Sequence, residues 1–289
     1  MLVDPFLYVA FLAGLVAGRV VPWRSRWILR ALVATVIVLV GLLGASLNDV
    51  ALSALVVTIP IAIGFAVLIL GLTAAVSLLI ARLRPATPRP TPSDVARDRF
   101  PLSVVLVGAV LVGFGIGRVV VLPTGTLIEW ALYALLALVA FDLPLNWQGV
   151  RSVWAPLAAA ATGAVGAGAI FAVASGTALS VSMGTALAFG WYTLAGPLVL
   201  ARAGAVLGLL AFLTNFLREN LTMVLSPALG RRLRGEGLTA LGGATAMDTT
   251  LYFVTRYGDR EAGSLALASG LILTVAASLI VPLVLAFPV

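Results

Sequence analysis

Glu219 is the residue of this sequence best placed to do chemistry. It lies well inside an apolar stretch, 204–229, that is long enough to cross a bilayer. Asn215, Glu219, Thr222 and Ser226 recur at i, i+4, i+7 and i+11, which puts them on one face of a helix. A charge near the bilayer midplane costs about 3 kcal/mol or more, so such a stripe must face a partner or a water-filled cavity. Two roles fit: an Arg–Glu network that locks helices together, or a site for an ammonium group or a proton. Arg218 points about 100° away from Glu219 on a helix, so it must engage a different group.

Other groups could join it. Asp248 stands in Gly242-Gly243-Ala244-Thr245-Ala246-Met247-Asp248-Thr249-Thr250. Its carboxylate could cap a half-helix or hold a cation alongside the hydroxyls of Thr245 and Thr249. Asp49 follows Ser46 and Asn48 at the end of the second apolar run, as a turn residue or as a second membrane acid. Asp142, in Phe141-Asp142-Leu143-Pro144, is either an interfacial partner of Arg151 or a further proton-coupling acid. Trp191 and Tyr192 could form an aromatic wall against a cationic or aliphatic substrate, or simply pack.

Missing residue types narrow the chemistry. There is no Cys and no His, and all 18 basic residues are arginine. Thiolate, haem and His/Cys-metal chemistry are excluded, as are a Ser-His triad and a lysine Schiff base. A proton carried inside the membrane must therefore ride on a carboxylate. No metal or cofactor is expected. Nor is the +7 charge read as a nucleic-acid footprint, given what surrounds it.

What must position these groups is a set of membrane helices. The chain is 62% hydrophobic and 10% charged, where a soluble domain carries about 25% charged residues. Apolar runs at 5–22, 28–48, 51–81, 101–121, 126–146, 152–175, 204–229 and 261–287 read as full spans. The first lacks a basic flank and a small-residue cleavage pattern, so it is expected to be retained. Two further segments, 182–203 and 238–257, carry Gly-Trp-Tyr-Thr and Gly-Gly-Ala-Thr clusters unlike lipid-facing helices. Irregular backbone at membrane depth survives only inside protein or around a water-filled cavity.

The arginines arbitrate. If both odd segments fold back, every arginine except Arg118, Arg202 and Arg218 falls on one side. If both span, Arg231, Arg232 and Arg234 cross over and Arg202 joins the majority. The positive-inside rule favours the first arrangement. The expectation is an all-α polytopic membrane protein with about eight transmembrane helices plus two re-entrant or broken segments. It places the protein in the cytoplasmic (inner) membrane with both termini outside, and makes 82–101 the main cytoplasmic loop.

Internal repeats refine that outline. Gly18-Arg19-Val20-Val21 recurs as Gly117-Arg118-Val119-Val120. At a second constant offset, Thr185-Ala186-Leu187 matches Thr239-Ala240-Leu241, Arg202 matches Arg256 and Gly204 matches Gly258. Chance likeness among Leu/Ala/Val/Gly-rich helices competes with the inverted repeats of a secondary transporter. On the latter reading, 1–175 holds two inverted three-helix repeats and 176–289 holds two inverted hairpin-plus-helix units that form the transport core. The pairs Gly14/Gly18 and Gly113/Gly117 should permit close helix approach.

At Gly190-Trp191-Tyr192-Thr193-Leu194-Ala195-Gly196, Asn215-Phe216-Leu217-Arg218-Glu219 and Gly243-Ala244-Thr245-Ala246-Met247-Asp248-Thr249-Thr250, the sequence resembles the prokaryotic lysine exporter family (the LysO type). The likeness is dense over 180–287. It is looser in the amino-terminal half, where Gly44-Ala45-Ser46-Leu47 carries it. The resemblance implies an inner-membrane protein of eight spans that exports L-lysine and its toxic analogues. The family's membrane acids match Glu219, through the aligned Arg-Glu pair, and Asp49, although this chain is a few residues shorter between Ser46 and that acid.

Resemblance and residues together imply a mechanism. The ε-ammonium of lysine would meet Glu219. Its α-carboxylate would meet half-helix N–H groups or Arg218, and its α-ammonium Asp248, threonine hydroxyls or carbonyls. Export against a negative-inside potential costs about 2.3 kcal/mol per charge at 100 mV, so exchange for an incoming proton is expected. Glu219 would carry proton and lysine alternately, with Asp49 as a second carrier. Sodium-driven exchange, another cationic amino acid or metabolite, and a channel stay open. An enzyme of lipid chemistry lacks its Asp-rich metal motifs and its histidine. A homo-oligomer is left open.

Overall fold

Leu-, Ala- and Val-rich runs fold as helices in a bilayer because a helix satisfies its own backbone where no water can. The computed structural model describes residues 5–20, 26–47, 52–83, 102–142, 153–247, 249–258 and 262–287. Among these, every regular element is helical. They are α1 (Pro5–Val20), α2 (Arg26–Ala45), α3 (Leu52–Arg82), α4 (Leu102–Val119), α5 (Thr124–Asp142), α6 (Trp154–Ser175), α7 (Leu179–Ala186), α8 (Tyr192–Ala203), α9 (Ala205–Gly242), α10 (Leu251–Tyr257) and α11 (Ala262–Leu285). A 3-10 turn, Gly243–Met247, joins α9 to α10.

Three described stretches, Val56–Arg82, Trp154–Ser175 and Ala262–Leu285, are long and apolar enough to cross a membrane. Val16, Val56, Val112 and Val173 stand exposed on the outer faces of α1, α3, α4 and α6, where lipid takes the place of water. Trp27 and Trp154 are exposed at helix starts, at the level where indole rings favour the headgroup region. The chain is an all-α membrane protein.

Glycine sets the packing of the first bundle. A Cβ at Gly14 or Gly18 of α1 would run into the backbone of Ala137 or Phe141 of α5. A Cβ at Gly113 or Gly117 of α4 would run into the backbone of Gly41 or Ala45 of α2. In both pairs the contacts ascend together, so α1 lies parallel to α5 and α2 parallel to α4. α3 and α6 run antiparallel, with Phe65 stacked on Phe171 at 3.9 Å and Gly163 against Thr73.

The second half is built on interrupted helices. Between α7 and α8 the chain passes through Phe189 and Gly190, both at positive φ. α9 runs through Pro227 and breaks only at Arg234 (φ 58, ψ −169), then resumes to Gly242. Both interrupted segments fold back. Gly184 of α7 packs on Leu285, and Arg202 at the end of α8 donates to the Leu285 carbonyl at 2.9 Å. Likewise Gly230 packs on Tyr257, and Gly235 lies against Gly258.

Candidate functional site

α9 carries the polar stripe into the protein. Asn215, Arg218, Glu219, Thr222 and Ser226 are all buried, Glu219 at 3% exposure and Arg218 at 0%. α3, α8, α10 and α11 surround this helix, so the stripe faces protein and not lipid. The Thr222 and Ser226 hydroxyls turn back onto the Arg218 and Thr222 carbonyls at 2.8 and 2.6 Å, which satisfies them within the helix.

Asn215 holds the first break. Its Oδ1 accepts the Gly190 N–H at 2.9 Å. Its Nδ2 donates to the Thr185 carbonyl at 2.9 Å and to the Ala211 carbonyl at 3.0 Å. Both amide donors are thus engaged by backbone. Sequence spacing put Asn215 on the polar face with Glu219, and the structure engages its amide with the interruption itself. Gly190, at φ 94, supplies the left-handed step that turns its N–H toward α9. Phe189 adopts φ 53 beside it, a conformation that costs a non-glycine residue about 1 kcal/mol and is held here by burial.

Arg218 holds the second break. Its Nε and Nη2 donate to the carbonyls of Leu241 and Ala240, both at 3.4 Å. These carbonyls close the last turn before Gly243, where the helix dipole is negative and acceptors lack helical partners. The remaining nitrogen, Nη1, is buried and has no hydrogen-bond partner among the described residues. Gly243 sits at φ 64; a Cβ there would strike the Phe189 carbonyl and stand 3.0 Å from Arg218 Nη2. Thr245 donates its hydroxyl to the Gly242 carbonyl at 2.9 Å and accepts the Thr250 N–H on its own carbonyl at 3.1 Å.

The two breaks touch. The Ala244 N–H donates to the Phe189 carbonyl at 2.9 Å. Arg218, Asn215 and Thr245 therefore gather around one crossing, and Glu219 follows Arg218 on the same buried helix. The matched triplets Thr185-Ala186-Leu187 and Thr239-Ala240-Leu241 stand just before the two breaks, and their carbonyls are the ones that Asn215 and Arg218 take.

The aromatic pair divides. Tyr192 is buried edge-on against Phe212 (5.5 Å) and Phe216 (5.6 Å) of α9, while Trp191 stays half-buried at the start of α8. Thr249 is half-buried. Asp49 and Asp248 lie outside the described residues, as does the side chain of Asp142, whose backbone closes α5. Sequence spacing pointed neither to Phe189 nor to the Ala244 N–H as the bridge. The constant offset between the two triplets was the signal that could have located it.

The arrangement sets a cation and an acid on successive positions of one buried helix, beside two helix interruptions. Such a pair offers a donor fork for an anionic group and an acceptor for a cationic one. The family model described as "Lysine exporter LysO" matches residues 106–285. A protein of Escherichia coli K12 named "Lysine exporter LysO" is 41% identical over 99 residues, 34% of this chain and 31% of that protein. A "Putative lysine exporter" of Haemophilus influenzae is 31% identical over 99 residues, 34% of this chain and 48% of that protein. These alignments span about a third and about half of the relatives' own lengths. No solved structure matches the chain.

Proposed function

The chain belongs to the lysine exporter LysO family, and from that premise we propose that it is a secondary transporter that exports L-lysine and similar cationic amino acids from the cytoplasm by proton antiport. The observation that carries this reading is Glu219, at 3% exposure on α9, one position after the arginine that holds the second interruption. A carboxylate so placed is a group on which a proton and an ammonium group can replace one another. If the two compete for Glu219, outward passage of lysine is tied to inward passage of a proton. Trp191, Thr245, Thr249 and Asp248 are the residues that would receive the rest of the ligand. Asp49 and Asp142 are the further acids through which the proton would leave or enter.

The same reading sets the protein in the cytoplasmic membrane with eight crossings, two re-entrant hairpins and both termini outside. The arginine distribution supports it, and so does Arg202 sharing one end of the molecule with Leu285. The chain has no Cys, so single cysteines report without background. Arg118→Cys and Arg202→Cys should react with an impermeant maleimide from the same side. Labelling from opposite sides would mean ten crossings.

The decisive experiment loads proteoliposomes with labelled lysine and imposes an inward proton gradient. Wild type should release lysine along that gradient, and Glu219→Gln should release none while keeping its melting temperature within a few degrees. Efflux that follows sodium and ignores the proton gradient would transfer the coupling to the carbonyls and hydroxyls of the breaks. Gradient-driven efflux by folded Glu219→Gln would remove Glu219 from the mechanism.

A further inference from the structure

We propose that Arg218 is the anchor for a carboxylate of the transported molecule, so that the site selects amino acids with a cationic side chain and rejects diamines. This rests on the transport reading above and names the half of the ligand that Glu219 cannot explain.

Arg218 is fully buried, and its two hydrogen bonds to Ala240 and Leu241 are long, at 3.4 Å each. Two carbonyl dipoles compensate a desolvated guanidinium only in part. Nη1 has no hydrogen-bond partner among the described residues. Guanidinium donors form a rigid fork, and the edge shared by Nη1 and Nη2 is the one that takes a carboxylate with two parallel bonds.

Gly243 leaves room beside Nη2. A Cβ at this position would stand 3.0 Å from Nη2. Gly243 is also fixed by its positive φ and by the passing Phe189 carbonyl; its missing side chain leaves Nη2 uncrowded on the guanidinium that carries the partnerless Nη1. Both residues belong to the second break.

Glu219 follows on the next position of the helix and projects about 100° away. One small ion cannot serve two groups that diverge in this way. A molecule with a carboxylate at one end of an aliphatic chain and an ammonium at the other can. Lysine, ornithine and arginine have that form. Cadaverine, which is lysine without its carboxylate, would set a second ammonium against Arg218 and be repelled.

The test is competition for labelled lysine by unlabelled lysine, lysinamide and cadaverine, using the full chain in proteoliposomes. In wild type, lysinamide and cadaverine should compete on the order of a hundredfold less well than lysine, because they leave a buried donor unpaired. In Arg218→Gln that ratio should collapse toward one, because lysine itself binds more weakly. Arg218→Lys, which keeps the charge but loses the fork, should give an intermediate ratio and serves alone if the glutamine variant does not fold. Equal competition by all three ligands in wild type would overturn the proposal and leave lysine transport standing. So would a ratio unchanged in the folded variants. Absence of lysine binding by wild type would remove the transport reading and this assignment together.

Discussion

Where α1 meets α5, Gly14 and Gly18 bring two continuous backbones into contact, and Gly113 and Gly117 do the same for α4 and α2. Around α9, Asn215 and Arg218 reach across to carbonyls and amides of interrupted neighbours. The contrast follows from what lipid supplies. Lipid tails are as apolar as leucine, so intact helices gain by shape, and glycine gives shape. An interrupted helix leaves acceptors and donors that lipid cannot satisfy, so it needs polar side chains from within the protein. Among the described residues, the Asn215 amide and the Arg218 guanidinium reach across to another segment's backbone where that backbone is broken.

The largest effect should come from taking a clip away. Asn215→Leu strands a buried N–H and the Thr185 carbonyl, at about 1–3 kcal/mol per group. We expect a fall in melting temperature large enough to deplete folded protein at 37 °C, measured by fluorescence-detected gel filtration after heating. A variant as stable as wild type would show that Asn215 does not hold the first break. Next comes damage to the glycine bundle. Gly113→Ala drives a methyl into the Gly41 carbonyl and should cost about 1–3 kcal/mol, with helix α4 displaced from α2. Lysine efflux per folded molecule should survive this better than it survives Asn215→Leu. The smallest effect belongs to Gly115→Ala, two positions along the same helix, where a Cβ meets nothing within 4 Å. Its melting temperature should match wild type or rise slightly. If Gly113→Ala and Gly115→Ala behave alike, close approach is not what joins α2 and α4.

Much of this architecture can be read from composition and period. Helices and membrane follow from 62% hydrophobic residues in long unbroken runs. The burial of Glu219 follows from a stripe too polar for lipid. The interruptions fall in the glycine- and threonine-rich clusters because Gly190 and Gly243 occupy positive φ. Partner identity is harder. The helical period says that Arg218 leaves the Glu219 face, but not that it arrives at Ala240 and Leu241, which are brought near by a fold-back. Phe189 takes a left-handed conformation that no compositional signal marks, because burial enforces it. The break at Arg234 falls later than the apolar run suggested, since the helix continues through Pro227 before it turns. Tyr192 and Trp191 are neighbours in sequence but part company where α8 begins, which an aromatic count could not show.

α9 also fixes a length. Asn215 grips one interruption and Arg218 the other, so the offset between the two breaks is ruled by three helical steps, about 4.5 Å. The Ala244–Phe189 bond needs that offset to close. One residue inserted between the two clips would swing one of them through about 100° and release its break. The stretch from Asn215 to Arg218 therefore behaves as a gauge, where residues can be exchanged more readily than added.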